Sequence, residues 1–152
     1  MKRFLLLALL LMGTTLHAAD LPYDTTADAN AQVQQALALA KQNHKPVLLF
    51  FGANWCEDCR SLAASLSEPK NAELIKRDFN VVKIDVGQFD HNLELASSYG
   101  NPIKKGIPAA VIVSPQGQLL YSTKAGELSN ARRMSSDGVH DFFQDKLNKL
   151  KS

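Results

Sequence analysis

Five consecutive apolar residues, Val47-Leu48-Leu49-Phe50-Phe51, entered through Pro46 and ended by Gly52, constrain this chain more than any other stretch. A strand with one wet face alternates apolar and polar residues; one that is apolar at every position is covered on both faces, which demands a sheet with helices above and below it. Further strands are predicted at Asn80-Val81-Val82-Lys83-Ile84-Asp85-Val86, at residues 107–113 and at residues 118–123. Between the first two strands Cys59, Leu62, Ala63 and Leu66 recur at helical spacing, and a short helix follows over residues 70–78. That helical crossover makes the two strands parallel. The turn Ser114-Pro115-Gln116-Gly117 makes the last two an antiparallel hairpin.

Three more helices are predicted. The first covers residues 24–43, with Val33, Ala36, Leu37 and Ala40 on one stripe and Asp24 or Thr25 as cap. The second covers 91–99, with Leu93, Ala96 and Tyr99 inward and Gly100 as its stop. The third covers 137–150, with Val139, Phe142, Phe143, Leu147 and Leu150 toward the sheet, while 101–106 reads as a loop. The fold class is α/β, a central mixed four-stranded sheet with helices on both faces. With 152 residues, 45% hydrophobic and 21% charged, the chain is one globular domain and neither disordered nor fibrous.

Residues 1–19 stand apart from that domain, which is placed at 20–152. Lys2-Arg3, an apolar run over 4–12 and the small pair Ala18-Ala19 have the order of a cleavable signal peptide. Nine apolar residues fall well short of the ~20 a spanning helix needs, so no stable membrane insertion is expected after cleavage. The expected location is an oxidising exported compartment, best a bacterial periplasm. The chain has 17 Lys and Arg against 15 Asp and Glu, and the two excess cations are Lys2 and Arg3. The mature domain is thus neutral, without the cationic stripe that nucleic acid requires.

The two cysteines, Cys56 and Cys59, stand in Trp55-Cys56-Glu57-Asp58-Cys59 where the first strand gives way to a helix. A bridge across two residues closes almost no loop, so it is a poor structural staple. Zinc needs four ligands, and there is no second cysteine pair; His44, His91 and His140 are scattered singly, so no metal is assigned. Redox chemistry remains. The helix stripe turns Cys59 toward the core and leaves Cys56 at the exposed helix start, where unpaired N–H groups favour a thiolate.

The order of elements, the run Phe51-Gly52-Ala53-Asn54-Trp55-Cys56-Glu57-Asp58-Cys59, the strand around Val82-Lys83-Ile84-Asp85 and Gly106-Ile107-Pro108 before the hairpin resemble the thioredoxin superfamily over residues 28–150. Within it the chain is similar to exported members such as the C-terminal domain of the periplasmic membrane disulfide reductant and small disulfide isomerase-like proteins. The resemblance implies a thioredoxin fold and a thiol:disulfide oxidoreductase or isomerase that needs no cofactor. Its implied partners are exported proteins with disulfides or free thiols and an upstream membrane thiol reductant. It makes Cys56 the attacking and Cys59 the resolving cysteine. Pro108 would be cis beside them, with the Ile107 backbone free to hold an extended substrate; a trans proline opening an edge strand is the plainer reading. Trp55 would shield the site, or fill the core.

One departure concerns Phe50, which stands where thioredoxins commonly keep a buried Asp that helps deprotonate the second cysteine. Lys83 matches the family's buried lysine, but without an acidic partner it can simply reach solvent. Glu57 and Asp58 oppose ionisation of Cys56, with Arg60 the one nearby cation, which implies a reducing protein; as first-turn residues they can equally be plain surface charges. A peptide-binding module without turnover and a Cu(I)-binding thiol protein are the alternatives.

Overall fold

The bracketing residues of the central strand act as expected: Pro46 precedes and Gly52 ends β1 (Val47–Gly52), every residue of which is buried. The computed structural model describes residues 21–151, so the signal peptide read at 1–19 lies outside the described residues. β1 pairs in parallel with β2 (Asn80–Asp85) and antiparallel with β3 (Ala109–Val113), which pairs antiparallel with β4 (Leu119–Ser122). The sheet order is β2-β1-β3-β4. The helices are α1 (Ala29–Asn43), α2 (Glu57–Ser67), α3 (Pro69–Asp78), α4 (Leu93–Ser98) and α5 (Ser136–Lys151).

Alternation along β1 divides the core in two. Val47, Leu49 and Phe51 pack with Val33 and Ala40 of α1 and with Leu95 and Ala96 of α4. Leu48 and Phe50 pack on the other face with Leu62 of α2, Leu74 of α3 and Val139, Phe143 and Leu147 of α5. Helices on both faces explain why β1 has no polar position. Asn71 ties three helices on the second face, its Nδ2 donating to the Ser65 carbonyl at 2.8 Å and to the Ser136 carbonyl at 3.1 Å.

Several boundaries differ from the sequence reading, each for a local reason. The first helix starts at Ala29, capped by Asp28, whose carboxylate accepts the Ala31 N–H at 3.0 Å. Asp24 instead closes a turn of its own, accepting the N–H and hydroxyl of Thr26 at 2.9 and 2.8 Å, and such local bonds compete with helix entry. Asn92 is left-handed, so α4 begins only at Leu93 and its inward face is Leu95 and Ala96. Leu93, expected inside, is 42% exposed. The presumed loop at 101–106 contains a 3-10 turn over Pro102–Lys105 that buries Pro102 and Ile103. Ile107 and Pro108 precede β3 rather than belonging to it.

Phe143 is central to the second core, with its ring edge-on to Phe50 at 5.7 Å and to Phe142 at 5.1 Å. Phe143→Ala should therefore cost about 3–5 kcal/mol by cavity formation, read as a lower urea midpoint with unchanged slope; a loss under about 1 kcal/mol would show that the helix repacks.

Candidate active site

Gly52 turns the chain off β1 and delivers Cys56 as the residue capping α2. Cys56 Sγ accepts the Cys59 N–H at 3.1 Å, so the sulfur occupies the place where a helix start receives negative charge. Cys56 and Cys59 form a disulfide, with Cα atoms 5.2 Å apart. Cys59 faces the core at 1% exposure, as its place on the helix stripe predicts. Cys56 is not at an open end: it is 6% exposed, because the chain before β3 covers it and the Ile107 carbonyl oxygen lies 3.7 Å from its sulfur. The Ile107-Pro108 bond is cis, and both residues are buried. The structure thus brings Cys56, Cys59, Ile107 and Pro108 together.

Trp55 lies outside the core at 49% exposure. Its Nε1 donates to the Gly87 carbonyl at 2.7 Å, and its ring meets Phe89 edge-on at 6.1 Å. The pair forms an apolar rim to one side of the disulfide. Phe89 escaped the sequence reading because its left-handed backbone, φ 62°, sits in a turn without periodicity.

Phe50 and Lys83 occupy neighbouring positions, paired in register between β1 and β2. Phe50 fills the second core beneath Cys59. Lys83 alternates away from buried Val82 and Ile84 and, on an edge strand, reaches solvent. No carboxylate therefore stands at position 50, and Lys83 takes the plainer of its two readings.

The charge around Cys56 requires a correction. Glu57 and Asp58 are not opposed by Arg60, whose Nη1 donates to the Asn54 carbonyl at 2.8 Å. They are bound by Arg132: its backbone N–H donates to Asp58 Oδ1 at 2.9 Å, and its guanidinium lies 3.2 Å from Glu57 and 3.6 Å from Asp58. Arg132 is far along the chain in the 3-10 turn Ala131–Arg133, and nothing local in the sequence marks it.

A second group absent from the sequence reading is Tyr23. Asn54 holds its backbone from both sides, its Oδ1 accepting the Tyr23 N–H at 3.0 Å and its Nδ2 donating to the Tyr23 carbonyl at 2.8 Å. This clamp lays the phenol ring against Gly52 and Cys59. Burial first, and the Asp85 carboxylate second, hold the Tyr23 phenol well above its ordinary pKa, so it stays protonated at any physiological pH.

Arg132→Ala leaves Glu57 and Asp58 uncompensated beside Cys56, which disfavours the thiolate. The Cys56 pKa should rise, by less than about one unit because the pairs are partly solvated. Iodoacetamide alkylation of the reduced protein across pH would measure it, and an unchanged or lower midpoint would refute the assignment.

Against this geometry the comparisons with known proteins are specific. A family model described as thioredoxin-like matches residues 28–115. A crystal structure of a disulphide isomerase from Xylella fastidiosa Temecula1 is 58% identical, with a TM-score of 0.83 over 84% of this chain and 98% of that one. The C-terminal domain of Neisseria meningitidis DsbD in its oxidised form is 24% identical, with a TM-score of 0.51 over 76% of this chain and 94% of that one. A thioredoxin from Thermus thermophilus is 22% identical, with a TM-score of 0.54 over 77% and 82%. These last two speak to the fold alone. No curated protein sequence matches. With a family model covering more than half its length and a solved relative sharing most of its residues over nearly the whole domain, the chain belongs to the thioredoxin-like family.

Proposed function

We propose that the protein is a thiol:disulfide oxidoreductase of the reductase or isomerase type, exported to a periplasm after removal of residues 1–19. The observation that carries this is the Cys56 sulfur at the start of α2, receiving the Cys59 N–H and bonded to Cys59. Such a sulfur is a stabilised thiolate once reduced. It attacks one sulfur of a substrate disulfide, expelling the other as a thiolate that takes up a proton and leaving the substrate joined to Cys56. Cys59, one helical turn on, then loses its proton and attacks the Cys56 sulfur. The internal disulfide re-forms and the second substrate thiol leaves, so the substrate gains two electrons and the cysteine pair loses them. An isomerase uses the same first step and returns the bond to a different pair in the substrate. No cofactor is needed.

The Ile107 backbone beside cis Pro108 is proposed to hold the substrate as an extended strand, and the Trp55–Phe89 rim to offer it apolar contact. The kinship with a disulphide isomerase supports the isomerase side. With Arg132 set against Glu57 and Asp58, and Arg60 bound to the Asn54 carbonyl, no uncompensated cation drives Cys56 toward strong acidity. The potential is accordingly placed nearer thioredoxin's roughly −270 mV than a strong oxidant's roughly −120 mV. Exported proteins with disulfides or free thiols are the proposed substrates, and a membrane thiol reductant the electron donor.

In the native compartment Cys59→Ser should accumulate mixed disulfides with substrates, whereas Cys56→Ser should accumulate none. Wild type should reduce insulin with dithiothreitol, and either variant should lose that rate. A double absence, of trapping and of turnover, would contradict the enzyme. Export makes a separate prediction: the intact mass of the mature protein should correspond to a chain beginning at Ala19 or Asp20, and a retained Met1 in a membrane fraction would overturn it.

A further inference from the structure

Resolution of the mixed disulfide requires Cys59 to become a thiolate in a place poorly suited to one. Cys59 is buried at 1% exposure. The gap beside it is about 10 Å3, at the lower limit of what one water occupies, and is lined by Pro22, Phe50, Leu62, Ala63 and Leu66, with Lys83 at its exposed edge. An anion there suffers a desolvation penalty, and no carboxylate lines the gap to accept the proton. The remaining lining group is Tyr23.

The Tyr23 side chain comes close enough that a methyl group built on Gly52 would collide with the phenol oxygen and, at 2.9 Å, with Cys59 Sγ. The phenol oxygen and the Cys59 sulfur thus both crowd the backbone at Gly52, in room that a side chain there would take. Tyr23 is 5% exposed, and among the described residues its hydroxyl has no hydrogen-bond partner, although its N–H and carbonyl are both bound by Asn54. The oxidised pair offers it only a disulfide sulfur, a weak acceptor; the reduced pair offers a thiolate.

We propose that the Tyr23 hydroxyl donates a hydrogen bond to the Cys59 thiolate and is the group that makes this buried cysteine ionisable. The phenol keeps its own proton throughout, since burial and the Asp85 carboxylate hold it protonated; it stabilises the anion while the Cys59 proton passes to solvent. The role is the same in both directions. When Cys59 attacks Cys56, Tyr23 stabilises the nucleophile; when a donor thiolate attacks Cys56 and breaks the internal disulfide, Tyr23 stabilises the departing Cys59 thiolate. The inference rests on the oxidoreductase reading and adds to it a residue thirty-six positions before the cysteine it serves.

Tyr23→Phe is a clean test, because Asn54 holds the backbone of residue 23 and a phenylalanine keeps the ring. Reduced protein mixed with Ellman's reagent releases one thionitrobenzoate as Cys56 attacks and a second as Cys59 resolves the adduct. In Tyr23→Phe the second phase should slow about tenfold near neutral pH and its pH midpoint should rise by about one unit, the size expected for one hydrogen bond to a charged group. The first phase should keep its rate. The other charges facing this region are Asp85 behind Tyr23, Lys83 at the rim, and Glu57, Asp58, Arg60 and Arg132 around the start of α2; all remain in the variant, so the shift reads the hydroxyl. A second phase unchanged in rate and midpoint would overturn the role of Tyr23. A wild-type protein with no second phase at all would instead overturn the oxidoreductase reading on which it rests.

Discussion

Everything at the redox end of this molecule depends on the absence of a side chain at Gly52. The strand has to end, the chain has to turn into α2, and the buried Tyr23 ring and the Cys59 sulfur both have to settle on the backbone at the turn. A Cβ there would push them away together. Because protein interiors are packed like molecular crystals, such a displacement could not be absorbed locally. Leu62 and Phe50 lie behind the sulfur and Phe143 behind Phe50, so the positions of the cysteine pair and of the second core are set jointly.

Long-range ties then fix what local structure leaves loose. Asn54 secures the segment entering the domain to the loop that carries the cysteines, and Arg132 secures the chain after β4 to the first turn of α2. Each uses a backbone group as well as a side chain, and each joins parts of the sequence that no periodicity connects. The electrostatics of Cys56 follow from the second tie: two carboxylates that stand without a cation of their own in sequence share one guanidinium in space.

The division between what the sequence discloses and what it hides follows from this. The unbroken apolar run of β1, the i, i+3, i+4 stripe of α2 and the Ser-Pro-Gln-Gly turn are local patterns, and they led to the observed parallel and antiparallel pairings. The cysteine pair and Ile107-Pro108 were legible for the same reason. The burial of Cys56, the exposure of Trp55 and Leu93, and the neighbours of Glu57 depend on which distant segment lies across each residue. Tyr23 was hidden most deeply: it lies in an irregular stretch before α1, and its importance comes from where Asn54 holds it. The start of α1 differs from the pattern because Asp24, read with Thr25 as a cap, closes a turn on Thr26 instead, and Asp28 caps the helix.

Lys83 has a different significance once its reading as a buried lysine is set aside. It lies near the middle of β2, the outer strand of the sheet, whose far side offers unpaired backbone groups to any other extended chain. Neighbouring Val81 is exposed as well, which makes that edge more adhesive. A solvated ammonium at this point has to be stripped of water if a further strand and its covering layer are added, and that penalty discourages copies of the protein from joining edge to edge. A guarded edge leaves the backbone beside Pro108, where an extended substrate is proposed to bind, without a competing site for a further strand.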